Sequence, residues 1–124
     1  MNEGSVDMSL KTIENMVDWV EQNLEEAPTL DKMSSHVGYS SYYCSSKFHE
    51  VVGLTFKSYV YKRKLSNAAI DLVETKDRII DIASKYGFSS HEAFTRAFAR
   101  EYGMSPSRYR NSLPDIRLFE KHVI

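Results

Sequence analysis

The sequence has one cysteine, no long apolar run and no alternating polar–apolar segment, and each absence excludes a class of protein. Cys44 alone cannot form an internal disulfide bond, so a disulfide-stabilised secreted fold is excluded. The apolar runs are too short to cross a membrane, and residues 1–11 lack the basic and apolar segments of a secretion signal. Since nothing alternates over the length of a strand, strands are not needed. We therefore expect an all-α protein of the reducing cytoplasm, with no membrane partner.

The chain also lacks the positive surplus that is typical of proteins that bind nucleic acid. Its formal net charge is −1, and its pI is near 6.4. The charge is unevenly spread, however: residues 1–50 hold 3 Lys/Arg and 9 Asp/Glu, net −6, and residues 51–124 hold 13 and 8, net +5. The C-terminal part is therefore the one suited to a polyanion.

Groups that carry catalysis or bind metals are scarce. The four histidines are scattered, with no pair three or four residues apart on a helix, and no glycine-rich loop suits a phosphate. Cys44 and His49 are five residues apart, which splays them on a helix, and Cys44 falls at an apolar position. We expect no catalytic residue, no metal site and no cofactor.

Helical periodicity and terminal residues predict about seven helices. Serine, threonine and proline stand where helices would begin, and glycine stands where several would end. Ser9 caps the first predicted helix, and the next three cover residues 30–37, about 42–51 and about 56–74. The fifth runs from Asp77 to Gly87, the sixth runs from Ser89 or Ser90 to about Tyr102, and the last begins at Ser105.

An internal repeat organises these helices. With a shift of 49, Leu30, Met33, Val37, Gly38 and Tyr39 match Ile79, Ile82, Tyr86, Gly87 and Phe88. With a shift of 50, Ser40, Cys44, Phe48, Gly53, Thr55 and Tyr59 match Ser90, Phe94, Phe98, Gly103, Ser105 and Tyr109. A short helix, a glycine turn, a second helix and a capped exit form a helix-turn-helix, so the chain holds two.

The repeat predicts two helix-turn-helix subdomains joined by a linker helix. We place an N-terminal tail at 1–8, the subdomains at 9–54 and 76–112, the linker at 55–75 and a C-terminal tail at 113–124. A helix of about 19 residues spans roughly 28 Å. Major-groove faces on one side of B-DNA recur every ~34 Å. One monomer could therefore read two adjacent major grooves.

The second repeat resembles the signature of the AraC/XylS family of transcription regulators. The matching residues are Ile82-Ala83, Gly87-Phe88, Phe94, Arg96, Phe98, Gly103, Pro106 and Tyr109-Arg110. The likeness extends over residues 10–110 and is nearest to the small stand-alone activators of the MarA type. It implies a bacterial, seven-helix DNA-binding domain that binds promoter double-stranded DNA in the nucleoid and helps to recruit RNA polymerase.

The resemblance implies which side chains meet the bases. The first recognition helix would present Tyr42, Ser45 and Ser46, and the second would present His91, Glu92, Thr95 and Arg96. Arginine is the usual reader of guanine. Glu92 fits two roles, an acceptor for cytosine or the partner of Ser89 in a capping box.

Basic residues near both helices are the candidates for phosphate contacts, collectively rather than one by one. They are Lys47, Lys57, Lys62, Arg63, Lys64, Arg100, Arg108 and Arg110. The acidic first helix cannot face DNA.

Two alternatives stay open. The near-neutral charge and the short Ser45-Ser46 side chains also fit a helical protein–protein interaction module that kept the fold and lost DNA affinity. The apolar tail from Leu113 to Ile124 is equally compatible with a stand-alone protein and with a piece of a longer regulator that has a sensing domain, which could dimerise it.

Overall fold

The computed structural model describes residues 8–124, which form seven helices and no strand. They are α1 (Leu10–Gln22), α2 (Leu30–Val37), α3 (Ser41–Val52), α4 (Phe56–Glu74), α5 (Ile79–Lys85), α6 (His91–Tyr102) and α7 (Pro106–Ser112). This confirms the all-α, seven-helix prediction. In the described part of the chain, no helix combines the length and the apolar character needed to span a membrane.

The chain divides into two compact units. The first comprises the residues up to Leu24, Pro28–Tyr61 and Lys121–Ile124, and the second comprises Glu25–Ala27 and Lys62–Glu120. The first six residues of α4 belong to the first unit, and the rest of α4 belongs to the second.

In the first unit, α1, α2 and α3 pack against one another. Each begins at a hydroxyl cap: Ser9, Thr29 and Ser40 accept hydrogen bonds from backbone amides three residues on. Ser9 is the cap that the sequence predicts for α1. Their apolar faces meet in a core that excludes water, which is the main stabilising contribution in a domain of this size. The core holds Ile13, Met16, Val17, Val20, Met33, Cys44, Phe48, Phe56 and Tyr59.

In the second unit, α6 packs against α5 and α7. Asp71 on α4 anchors α5, because its carboxylate accepts hydrogen bonds from Lys85 Nζ at 3.0 Å and from the Tyr86 hydroxyl at 2.7 Å. The core holds Leu65, Ala68, Ala69, Leu72, Ile82, Ala83, Tyr86, Phe94, Ala97, Phe98 and Tyr109.

The helix positions reproduce the predicted repeat. Helices α3 and α6 are both 12 residues long and begin 50 residues apart, as do α4 and α7, whereas α2 and α5 begin 49 apart. Gly38 and Gly87 stand at the two turns with φ of +82° and +80°. A side chain at either position would be strained, so glycine fixes both turns.

The structure extends the repeat to a helix that the sequence comparison did not pair. With a shift of 52, the buried face of α1 matches the buried face of the second half of α4. The pairs are Ile13 with Leu65, Met16 with Ala68, Val17 with Ala69 and Val20 with Leu72, all buried. The second half of α4 thus does in its unit what α1 does in the first.

One predicted helix start was wrong. Helix α5 begins at Ile79 with Arg78 at its N-cap and no side-chain cap, and not at Asp77. Helix α3 begins at Ser41, next to the predicted start near Tyr42, and Ser40 is its cap. The choice between Ser89 and Ser90 as the cap of α6 falls on Ser90.

The C-terminal tail has no helix but makes specific contacts. In the first unit, the Lys121 ammonium contacts the Asp18 carboxylate, and the His122 backbone amide donates to the Tyr59 hydroxyl at 2.9 Å. The salt bridge and the hydrogen bond together fix the last residues of the chain.

Candidate nucleic-acid interface

Helix α6 has one buried face and one open face. The rings of Phe94 and Phe98 have centroids 5.8 Å apart and, with Ala97, lie in the core. His91, Glu92 and Arg96 are exposed on the other face. The N-terminal half of α6 can therefore meet a ligand without any rearrangement of the core.

Glu92 does not form the capping box. Ser90 is the N-cap, and its hydroxyl accepts a hydrogen bond from the amide of Ala93 at 3.0 Å. A capping box needs Glu or Gln three residues after the cap, and that residue is Ala93. The capping-box interpretation was therefore wrong, and Glu92 is an exposed carboxylate in the first turn of α6.

Thr95 is placed less favourably for contacting a base than the exposed His91, Glu92 and Arg96. The residue is half-buried, and its Oγ1 atom is buried without a hydrogen-bond partner among residues 8–124. A hydroxyl that is covered by the protein cannot donate to a base edge, which argues against this part of the predicted base-contact set.

Helix α3 repeats the same arrangement with different side chains. Cys44 and Phe48 are buried, and Phe48 packs edge-on against Phe56 and Tyr59. Tyr42 is 86% exposed and Ser46 is exposed, whereas Ser45 is half-buried. The open face of α3 thus presents one aromatic ring and short hydroxyls.

Three of the candidate phosphate contacts are exposed, namely Lys57, Arg100 and Arg108. Two others are half-buried and engaged within the protein. Lys47 Nζ lies 3.1 Å from a Glu50 carboxylate oxygen, and Lys62 Nζ lies 2.9 Å from one of Glu101. The three exposed residues are therefore the better candidates.

Lys64 differs from the other candidate phosphate contacts because its ammonium lies beside Gly87 and is partly buried. Its Nζ atom lies beside the turn of the second helix-turn-helix, 3.7 Å from where a Cβ at Gly87 would be. Burial lowers the pKa of the Lys64 ammonium, because the charged form loses water there. A phosphate group beside this turn would stabilise the charged Lys64 ammonium in place of the lost water.

Arg63 and Arg110 have structural positions that argue against the predicted phosphate contacts. Arg63 is only 6% exposed, and its guanidinium donates to the carbonyl of Phe119. Arg110 donates to the carbonyls of Leu72 at 2.8 Å and Thr75 at 3.3 Å, and so caps the C-terminus of α4. Helical spacing could have revealed Arg63, which lies seven residues after the buried Phe56, but nothing local could have revealed the partners of Arg110.

Comparison with known proteins agrees with this geometry. A family model described as a helix-turn-helix domain matches residues 33–112. The HTH-type transcriptional activator AarP of Providencia stuartii is 36% identical over 114 residues, which is 90% of this chain and 84% of AarP. The multiple antibiotic resistance protein MarA of Escherichia coli (strain K12) is 34% identical over 99 residues, which is 80% of this chain and 78% of MarA.

A solved structure shares the fold. It is a transcriptional regulator from Chromobacterium violaceum, described as one of the AraC-type DNA-binding domain-containing proteins. It has a TM-score of 0.79 at 24% identity and covers 94% of this chain and 100% of its own. The matched helix-turn-helix domain and these relatives show that the chain belongs to the AraC-type family of helix-turn-helix transcription regulators.

Proposed function

We propose that this chain regulates transcription by binding double-stranded DNA, with α3 and α6 each entering a major groove. The observation that carries the proposal is the repetition of one arrangement: each helix buries its apolar face and leaves the outer side of its first turns exposed. In helix-turn-helix proteins, the N-terminal residues of the recognition helix contact the base edges.

The uneven charge supports the same function. The net charge of +5 lies in residues 51–124, where Lys57, Arg100 and Arg108 are exposed. Contacts to phosphates supply most of the affinity of such proteins, and contacts to bases supply the specificity. The acidic α1 would stay on the side that faces away from DNA.

We further propose that one chain binds one site as a monomer and covers two adjacent major grooves, very roughly 20 base pairs. The two copies of the helix-turn-helix in one chain supply the pair of recognition helices that most helix-turn-helix proteins obtain by dimerising. RNA polymerase is the proposed protein partner, in keeping with the activator name of AarP. The site of action would be the nucleoid in the cytoplasm.

Titration of a labelled duplex at several salt concentrations tests the proposal. The logarithm of the affinity should fall linearly with the logarithm of the salt concentration, with a slope that corresponds to several released ions. Arg108→Ala should flatten the slope by about one. Absence of binding to any duplex at low salt would instead favour a protein–protein interaction module.

Footprinting together with analytical ultracentrifugation tests the stoichiometry. One chain on a site that spans two grooves agrees with the proposal. A site that is occupied only by two chains, or a footprint of a single groove, would contradict it.

A further inference from the structure

We infer that Glu92 and Arg96 make α6 a reader of G·C base pairs, with Glu92 accepting a hydrogen bond from the amino group of a cytosine. The inference rests on the proposed DNA binding and names what one half of the site contains. It states which base Glu92 selects in that half and which bases it excludes.

Neither side chain is engaged within the protein. Glu92 and Arg96 are both exposed, and neither forms a hydrogen bond or an ion pair with any residue in the range 8–124. They are four residues apart on one helix, and opposite charges at this spacing commonly pair with each other, but these two side chains do not. Both groups are therefore available to a ligand, one as an acceptor and one as a donor.

The position of Glu92 is unfavourable for a DNA-binding protein unless the carboxylate has a partner on the DNA. It is in the first turn of α6, the part of a recognition helix that comes nearest to the bases. There a carboxylate meets the negative field of two phosphate backbones. A hydrogen bond from a base would offset that repulsion.

The chemistry of the groove restricts which base can do so. A carboxylate can only accept hydrogen bonds. In the major groove, guanine offers two acceptors and thymine offers an acceptor and a methyl group, so both are excluded. Cytosine presents its amino group without an adjacent acceptor, and glutamate is its usual partner, whereas adenine presents an acceptor beside its amino group. Arg96, one turn further along, suits a guanine.

The same position in the first unit has a different chemistry. Tyr42 is the second residue of α3, as Glu92 is of α6, and its phenol ring is 86% exposed. An aromatic ring carries no charge and suits apolar contact with a thymine methyl group. The cytosine preference should therefore be confined to the half of the site that α6 reads.

Selection of bound duplexes from a random pool, with the parent and with Glu92→Gln, tests the inference. The parent should enrich cytosine at one position, and any other base there should weaken binding by roughly five- to a hundred-fold. Glutamine should shift the preference toward adenine, its usual partner. Glu92→Ala should lose the cytosine preference without gaining adenine.

Both variants remove a negative charge, so both should bind unrelated duplexes more tightly. Glu74→Gln is the matched control, since Glu74 is exposed but lies at the end of α4; it should leave the base preferences unchanged. If Glu92→Gln raises the affinity for all sequences equally and keeps the parental preferences, Glu92 is an ordinary solvated residue and the inference is overturned. If the parent binds no duplex at low salt, the proposed function itself fails.

Discussion

Ser46 and Arg96 occupy one position in two copies of the same arrangement. Each is the sixth residue of its helix, each lies two residues before a buried phenylalanine, and each is exposed. The first copy presents a short hydroxyl and the second a guanidinium. The two recognition helices therefore share a backbone position but differ in reach and in charge.

We predict that Arg96→Ala weakens binding to the specific site far more than Ser46→Ala does. A bidentate arginine contact discriminates against a wrong base by about 1–3 kcal/mol, whereas a serine hydroxyl bonds donors and acceptors alike. Arg96→Ala should also relax the preference at one or two base pairs in one half of the site. Affinities for the selected site and for its single-base variants measure both effects.

Both variants should keep the parental helicity and melting temperature, because the two side chains are exposed. Ser46→Ala serves as the control, since alanine is the better helix former and no long contact is lost. Equal losses from the two substitutions, or a greater loss from Ser46→Ala, would show that α6 does not dominate the reading.

Two arginines of α7 should respond in opposite ways. Arg110→Ala removes the hydrogen bonds from a guanidinium to two carbonyls at the end of α4, so it should lower the free energy of unfolding by about 1–3 kcal/mol. Arg108→Ala removes an exposed charge and should leave the melting temperature unchanged while it flattens the salt dependence of DNA binding. Thermal melting and salt titration of both variants separate the two roles.

The opposite pattern would contradict this assignment. If Arg110→Ala melts like the parent and flattens the salt slope, then Arg110 contacts phosphate in the complex and its bonds to α4 contribute little.

The repeat could be predicted from the sequence because its signals are local. Ser40 and Ser90 cap their helices through an amide only three residues away, and apolar residues recur with the helical period. The second role of α4 was harder to see. Its buried face is offset by 52 residues from α1 rather than by 49 or 50, and it uses small alanines where α1 has larger side chains.

The candidate site was predicted less completely, because side-chain partners depend on tertiary structure. Arg110 meets carbonyls 35 and 38 residues away, and no spacing rule gives that contact. Glu92 fitted a capping box only while Ser89 was taken as the cap. Arg96 is exposed, as the resemblance to the AraC/XylS family implies for a side chain that meets the bases.

We predict that Thr95→Val stabilises the protein without changing its base preferences. The Thr95 hydroxyl is buried without a hydrogen-bond partner among the described residues, and an unsatisfied buried polar group costs about 1–3 kcal/mol. Valine keeps the branched shape and removes the hydroxyl, so the melting temperature should rise by a few degrees. A changed base preference at one position would show that the hydroxyl turns outward to contact DNA.

Tyr102 should make the stability of the protein sensitive to alkaline pH. Burial raises the pKa of its phenol to about 12, and the negative charge of Glu101 acts in the same direction, whereas the Ser66 hydroxyl opposes the shift. Its ring packs at a tilt against that of Phe98, with the two ring centroids 4.8 Å apart, and its hydroxyl is buried without a hydrogen-bond partner among the described residues.

The sign of the effect follows from proton binding. Between the ordinary tyrosine pKa of 10.0 and the folded value of about 12, the folded protein keeps a proton that the unfolded chain loses. The free energy of unfolding should therefore fall as the pH rises through this range, and Tyr102→Phe should remove part of that fall. At neutral pH the variant should be as stable as the parent or slightly more so, because no satisfied hydrogen bond is lost.

Tyr42→Phe, which removes an exposed hydroxyl, is the control, and it should keep the parental pH profile. Urea unfolding of the three proteins at several pH values measures the free energy of unfolding as a function of pH. If this free energy falls equally in Tyr102→Phe and in the parent at alkaline pH, Tyr102 ionises as freely in the folded protein as in the unfolded chain.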